Sequence, residues 1–245
     1  MEFNFGIRAW SAWSPGLNKP DDWLAWSARA RLPHGDDAPA LPEIAAMMRR
    51  RLSTLGRMAL QASWWCQGDR PAMPTVFASR YGDVDRSLQL LADLERDGSV
   101  SPTGFTMSVH NAISGLYSIV REDRSNAVCV AAGQATAAAG VTEAAGLLAD
   151  GAGEVMLVCY DEPLPDDYVC FRDEPQARWA WAWRLAPARA GHPRWSLASR
   201  PVPAEVRGAP AELPAGLEVL RFFLAEEARL TQHAGTVEWE WRRHG

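Results

Sequence analysis

Long apolar runs and closely paired cysteines are both missing from this sequence of 245 residues. No apolar run approaches the roughly 20 residues that a transmembrane helix needs, and the first residues lack the apolar core of a signal peptide. The four cysteines include no Cys-x-x-Cys pair. A reduced, cytoplasmic setting fits these absences best, and we expect no membrane partner.

Positive charge is not in excess either. The net charge is −5 and no basic patch dominates the sequence, which argues against a nucleic-acid partner. With 47% hydrophobic and 22% charged residues, the composition is typical of a soluble globular protein. The length permits one large domain or two small ones.

The stretch 108–162 carries the most information. Apolar runs at residues 127–132 and 154–160 have the length and valine content of buried strands. The Ala-rich segment 134–150, followed by Gly151, predicts a helix that packs closely on its neighbours. Strand, helix and strand in about thirty residues form a βαβ unit with parallel strands. The turn Ala131-Ala132-Gly133 then lies where backbone amides face a site.

Periodicity predicts the remaining elements. Strands are expected at residues 3–13, 74–79, 179–185, 195–199 and 236–241. Helices are expected near Trp23, over 84–97 and 217–230, and in the region 41–66, where a second helix opens at Ser53. Strand 195–199 is expected to pair with 179–185, strand 236–241 to lie at a sheet edge, and 201–214 to be a linker. Ser53 and Asp83 are expected to begin helices, Gly98 to end one, and Leu88, Leu91 and Leu94 to be buried.

Three tryptophans, Trp179, Trp181 and Trp183, alternate with alanine along one predicted strand. They therefore share one face of that strand, which needs either the helix layer or another subunit to cover it. The sequence has twelve tryptophans in all. Excess aromatic residues are typical of interfaces, and core packing explains them equally well.

Two charged stretches have competing interpretations. Arg49, Arg50 and Arg51 fit either an anionic partner, such as an acyl carrier protein, or a solvated helix face. A Pro-interrupted loop carries six acids without the spacing of a calcium loop, so we expect a solvated loop and no metal site. These acids are Asp161, Glu162, Asp166, Asp167, Asp173 and Glu174.

Segment 108–162 resembles the nucleophile region of β-ketoacyl synthases, which have the thiolase fold. Asn111, Gly115, the central helix, Gly151 and the strand after it fall at family-like spacings without a gap. By this resemblance, Gln134 occupies the position of the nucleophilic cysteine. A cysteine there is activated by the helix N-terminus, whereas an amide can only form hydrogen bonds.

The resemblance also predicts the architecture. It implies an α/β, thiolase-like half fold, layered αβα around a mixed central sheet. Residues 1–245 would form a single truncated ketosynthase-like domain, with 187–245 a family-divergent C-terminal extension. Complete ketosynthases carry two catalytic histidines and a lysine in a second half, for which too few residues remain here.

The glutamine at the cysteine position and the missing second half are departures from complete ketosynthases. Together they predict a non-catalytic subunit that resembles the truncated chain-length factors of aryl polyene pigment pathways in Gram-negative bacteria. It would form a heterodimer with a full-length β-ketoacyl synthase, meet acyl carrier protein through that complex, and shape the acyl or polyene tunnel without a cofactor. The helix expected over residues 107–117 is the predicted partner contact. The tunnel and interface residues are Met107, His110, Asn111, Ile113, Leu116 and Gln134.

Two enzymatic alternatives remain at this stage. In some ketosynthase relatives, a glutamine at the cysteine position accompanies decarboxylation of malonyl-carrier protein, with the amide of Gln134 holding the thioester carbonyl. An unrelated small α/β enzyme would instead use Cys129 or Cys159. Both cysteines are predicted to be buried in strands, which disfavours their thiolates.

Overall fold

One mixed sheet of eight strands runs through the computed structural model, which describes residues 2–203 and 211–245. The strands follow the order β3-β2-β4-β5-β1-β6-β8-β7 across the sheet. They are β1 (Glu2–Trp13), β2 (Thr75–Ala78), β3 (Ala127–Val130), β4 (Val155–Asp161), β5 (Trp179–Pro187), β6 (Arg194–Pro201), β7 (Arg229–Ala234) and β8 (Val237–His244).

Helices cover both faces of the sheet. They are α1 (Pro20–Ala28), α2 (Ala46–Arg49), α3 (Thr54–Gln67), α4 (Val84–Asp97), α5 (Pro102–Ser108), α6 (Ala112–Val120), α7 (Thr136–Ala149) and α8 (Ala215–Leu224), with 3₁₀ turns at Gly133–Ala135 and Asp166–Phe171. One core lies between the sheet and α1, α7 and α8, and the other lies beneath α3 and α6. The predicted αβα layering around a mixed sheet is therefore confirmed.

The βαβ unit has the predicted parallel strands. Strands β3 and β4 both pair in parallel with β2, which lies between them. Helix α7 crosses this part of the sheet very closely. A Cβ atom on Gly140 would lie 2.6 Å from Leu157 Cδ1 and 3.3 Å from the Cβ of Ala78. Glycine is therefore required where the helix meets β2 and β4.

Local signals place several helix ends correctly. The side chains of Ser53 and Asp83 accept hydrogen bonds from the backbone amides of Gly56 and Arg86, as N-caps do. Gly98 ends α4 in the left-handed conformation.

The helical region predicted over residues 41–66 contains the short α2 followed by α3, and α3 begins directly after Ser53 as predicted. The helix expected over residues 107–117 is also two helices, because α5 ends at Ser108 and α6 begins only at Ala112. His110 and Asn111 therefore lie between helices.

The C-terminal part differs most from the sequence-based prediction. Helix α8 ends at Leu224, Glu226 has a φ of +53°, and Leu230 already belongs to β7. Strand β6 pairs with β1 and β8 rather than with β5, because β1 lies between β5 and β6. Strand β8 is internal, and β7 forms the edge. Of the predicted linker 201–214, residues 204–210 lie outside the described part of the chain.

The tryptophans of β5 belong to the core. Trp179, Trp181 and Trp183 are at most 3% exposed and pack in the core that contains Leu217 and Leu220 of α8. The Trp181 indole donates a hydrogen bond to the Gly216 carbonyl of the same helix. The protein's own helix layer thus covers this face, and a second subunit is not needed for it.

For helix α4 the prediction of burial is wrong. Leu91 and Leu94 are 56% and 47% exposed, and Leu88 is only partly buried. The amphipathic pattern of α4 is real, but its apolar stripe is only partly covered by the described residues. None of the helices in the described ranges is long and apolar enough to cross a membrane.

Candidate functional site

Polar side chains converge where β2 and β4 end and α7 begins. Ser79 and Arg80 follow β2, Asp161 ends β4, and Asp173 and Glu174 come from the loop between β4 and β5. We call these five residues the Arg80 cluster. The carboxyl ends of parallel strands and the N-terminus of a helix meet here, which is where α/β folds commonly bind ligands.

Gln134 lies in the 3₁₀ turn directly before α7, at the position that the resemblance assigns to a nucleophile. Gly133 in this turn has a φ of +55°, and Thr136 Oγ1 fastens the turn by accepting from the Ala132 amide and donating to the Gly133 carbonyl. The Gln134 amide nitrogen donates to the Asp173 carbonyl oxygen at 3.0 Å. The side chain is therefore held by the β4–β5 loop.

Arg80 is the centre of the cluster. Its side chain is 6% exposed and forms ion pairs with Asp173 and Glu174. Burial opposes the charged form, but the two carboxylates outweigh it and raise the pKa of Arg80 above its usual value. The Glu174 carboxylate is equally buried and also accepts from the Ala215 amide at the start of α8. Arg80 and Glu174 thus connect β2 to α8.

Asp161 has a different environment. Its carboxylate accepts hydrogen bonds from Ser79 Oγ at 2.9 Å and from the Arg80 backbone amide at 3.0 Å. Burial raises the pKa of Asp161 to about 7, although both hydrogen bonds and the Arg80 charge act to lower it. Burial, followed by the charges of Asp85 and Asp83, likewise raises the pKa of Glu162 to about 7.

The prediction that the acidic loop is solvated is therefore only partly right. Asp166 and Asp167 are exposed, whereas the Glu162 and Glu174 side chains are each 6% exposed and Asp161 is largely buried. Tertiary contacts that bring Arg80 and Arg178 to this loop explain the difference. Within residues 2–203 and 211–245, no group of three or more histidine, cysteine or acidic side chains could hold a metal ion.

The space beside Gln134 is almost filled. The cavity lined by Arg80, Gln134, Glu174 and Trp179 encloses about 10 Å³, roughly the space for one water molecule. A second cavity of the same size lies on the other side of Arg80 and Glu174. Neither has room for an acyl chain.

The candidate nucleophiles near this cavity are not activated. Cys159 lines it, but burial, reinforced by the Asp161 charge, raises the pKa of its thiol well above the usual value. Cys129 lies on β3, and burial raises its thiol pKa too, despite a hydrogen bond with Ser114. Both thiols stay protonated near neutral pH, which makes them poor nucleophiles.

The structure brings only two of the predicted interface residues to the cluster. Besides Gln134, His110 places Nε2 2.9 Å from the Ser79 carbonyl oxygen, so this nitrogen carries a proton and donates. Met107 is partly buried near the end of α5, and Asn111 is exposed. Ile113 and Leu116 are 3% and 4% exposed and pack in the core beneath α6.

Sequence reasoning missed Ser79, Arg80 and the role of Glu174. A polar pair directly after a buried strand is a usable signal for the first two residues. No local pattern marks Glu174, which is separated from Arg80 by four helices and two strands.

Comparison with known proteins gives consistent results. A family model described as the N-terminal domain of β-ketoacyl synthases matches residues 23–242. One chain of a complex described as the ketosynthase ApeO with its chain length factor ApeC, from Xenorhabdus doucetiae, is 28% identical, with a TM-score of 0.84 over 98% of this chain and 99% of that chain. No curated protein matches the sequence significantly.

More distant structures show the same fold. A chain of the ishigamide ketosynthase/chain length factor is 14% identical, with a TM-score of 0.72 over 99% of this chain and 100% of that chain. A β-ketoacyl synthase from Burkholderia phymatum is also 14% identical, with a TM-score of 0.61 over 93% of this chain and 70% of that chain. The predicted thiolase-like fold is thereby confirmed.

Proposed function

The chain belongs to the family of β-ketoacyl synthase N-terminal domains, and from this premise we propose that it is a non-catalytic chain-length-factor subunit. It pairs with a full-length, active β-ketoacyl synthase and shapes the tunnel that holds the growing acyl or polyene chain. The setting is aryl polyene or related polyketide biosynthesis in the cytoplasm. Acyl carrier protein reaches this chain through the complex.

The observation that carries this proposal is the combination of Gln134 with an almost filled cavity. An amide replaces the thiolate that acyl transfer requires, and about 10 Å³ remains beside it. A ketosynthase-like chain with neither a nucleophile nor space for substrate is suited to support another subunit. The 28% identical chain, which comes from a complex of a ketosynthase with its chain length factor, has almost the same extent and supports this proposal.

An uncovered apolar surface supports the pairing. Five apolar side chains on and between α4, α5 and α6 are 42–64% exposed, namely Leu91, Leu94, Phe105, Val109 and Ile119. We call this set the α4–α6 surface. Helices α4 and α5 pack side by side, as do α5 and α6, and several large apolar side chains exposed on neighbouring helices are typical of a protein–protein interface.

The open edge of the sheet also supports pairing with another subunit. Strand β3 lies at the end of the sheet and pairs with β2 on one side only. The carbonyls of Asn126 and Val130 accept hydrogen bonds from β2, so the backbone groups of Ala127 and Cys129, which alternate with them, point outward. An open edge can accept a strand from a partner.

The decarboxylase alternative has less support. It requires the Gln134 amide to donate to a thioester carbonyl, yet that amide donates to the Asp173 carbonyl. The cavity beside it would also need to admit the malonyl group. No contact of the described residues favours this second function.

Co-purification with a β-ketoacyl synthase from the same gene cluster tests the proposal. Only this chain carries the tag, and the mass of the eluted complex is measured by light scattering. We expect a stoichiometric heterodimer. Ile119→Asp places a charge on the α4–α6 surface and should weaken assembly at least tenfold, because a buried unpaired charge is costly.

Leu24→Asp is the matched control. Leu24 is 48% exposed on α1, which packs against the other face of the sheet, so this variant should assemble like the wild type. If the wild-type chain elutes folded and unpaired, the proposal is wrong. If both variants weaken assembly equally, the α4–α6 surface is not the interface.

A further inference from the structure

Arg80 and Glu174 fill the space in front of Gln134 as a buried ion pair. We propose that this pair is a stopper that keeps linear acyl chains out of this subunit. The inference goes beyond the proposed function because it concerns this chain alone. Only the class of the excluded ligand rests on that function.

Several anchors hold the stopper in place. Arg80 binds Asp173 and Glu174, and Glu174 also accepts from the Ala215 amide at the start of α8. Gln134 donates to the Asp173 carbonyl, so the residue at the nucleophile position itself fastens the loop. The stopper therefore joins β2, the β4–β5 loop and the N-terminal ends of α7 and α8.

Small and apolar residues make up much of the walls around the stopper. The cavities on its two sides share Arg80, Asp161, Glu174 and Trp179 as lining residues. Most other lining residues are small or apolar, including Ala137, Cys159, Pro175, Ala177, Pro214, Ala215 and Gly216. Without the two charged side chains, we expect the two small cavities to merge into one larger cavity, whose walls keep Asp161 and Gln134 beside these small and apolar residues. Such a cavity suits an aliphatic chain.

A pair of double variants tests this directly. Arg80→Ala with Glu174→Ala removes both charges and opens the space, whereas Arg80→Met with Glu174→Met removes the same charges and keeps it filled. The probe is cis-parinaric acid, a linear polyene fatty acid whose fluorescence rises in an apolar site. We expect saturable, one-to-one binding only by the alanine pair, at least tenfold tighter than by the wild type or the methionine pair.

Equal binding by the two double variants, or no binding by an alanine pair that still unfolds cooperatively, overturns the proposal. If the double alanine variant does not fold, the single variant Arg80→Met tests the proposal instead. It should release the loop, seen as at least fivefold faster hydrogen exchange in peptides covering residues 163–178, with β6 and β8 unchanged. Unchanged exchange in 163–178 also overturns it. None of these measurements uses the ketosynthase, so a failed stopper and a failed heterodimer are distinguishable.

Discussion

Asp161 and Glu174 carry the same functional group within one cluster, but their partners differ. Asp161 accepts from a hydroxyl and a backbone amide, and burial raises its pKa to about 7. Glu174 lies against the Arg80 guanidinium and accepts from the Ala215 amide, both of which counter the effect of burial on its raised pKa. At the residue scale, burial and the nearest partner decide which carboxyl group holds a proton near neutral pH.

The protonation of Asp161 predicts an unusual pH dependence of stability. Its pKa is raised on folding, so the folded state binds the proton more tightly than the unfolded chain. The stabilisation is present below about pH 4 and is lost as the pH rises to about 7, by up to about 1.4 kcal/mol per pH unit. Asp161→Asn keeps an acceptor for Ser79 and Arg80 and should remove this contribution.

Urea unfolding of the wild type and of Asp161→Asn at pH 5, 6, 7 and 8 measures the contribution of Asp161 protonation to stability. The difference in the free energy of unfolding should shift in favour of the variant from pH 5 to pH 7 and level off between pH 7 and pH 8. Asp166→Asn, at an exposed site, should follow the wild-type profile. A pH-independent difference between Asp161→Asn and the wild type would falsify the assignment.

Helix α7 shows what one element contributes to the site. Its N-terminal turn holds Gln134, and its position depends on close contact with the sheet at Gly140. Gly146 lies on the same helix, and a Cβ atom there would have no neighbour within 4 Å. The two glycines therefore differ in tertiary surroundings and not in helix propensity.

Opposite effects of alanine are expected at these two glycines. Gly140→Ala should destabilise the fold by about 1–3 kcal/mol, because the new methyl group overpacks the contact with Leu157 and Ala78. Gly146→Ala should stabilise it by up to about 1 kcal/mol through helix propensity alone. Denaturant midpoints of the two variants and the wild type measure both effects, and equal shifts would contradict the packing argument.

At the scale of the whole molecule, residues after 186 are part of the core. Strand β6 extends the sheet next to β1, and α8 covers the three tryptophans of β5. Trp181 and Gly216 are joined by a hydrogen bond, and a Cβ atom on Gly216 would lie 2.3 Å from Trp179 Cη2. The prediction of a single domain over 1–245, with 187–245 a divergent extension, stays a prediction that these contacts make testable.

Truncation tests the single-domain prediction. A chain ending at residue 186 should lose cooperative thermal unfolding, because it exposes the large apolar surface of Trp179, Trp181 and Trp183 to water. The full chain should give one transition in calorimetry. A truncated chain that unfolds in a sharp transition of its own would mean that 187–245 is a separate unit.

The sequence by itself determined the βαβ unit, the capped start of α3 and both ends of α4, because these depend on interactions between residues close in the chain. It also placed Gln134 at the start of α7. Only the tertiary structure decided that β1 separates β5 from β6, that Leu91 and Leu94 stay uncovered, and that Glu174 meets Arg80. These features depend on which distant segments come together, and the local periodicity of a segment is the same whether its apolar face meets the core, solvent or a partner.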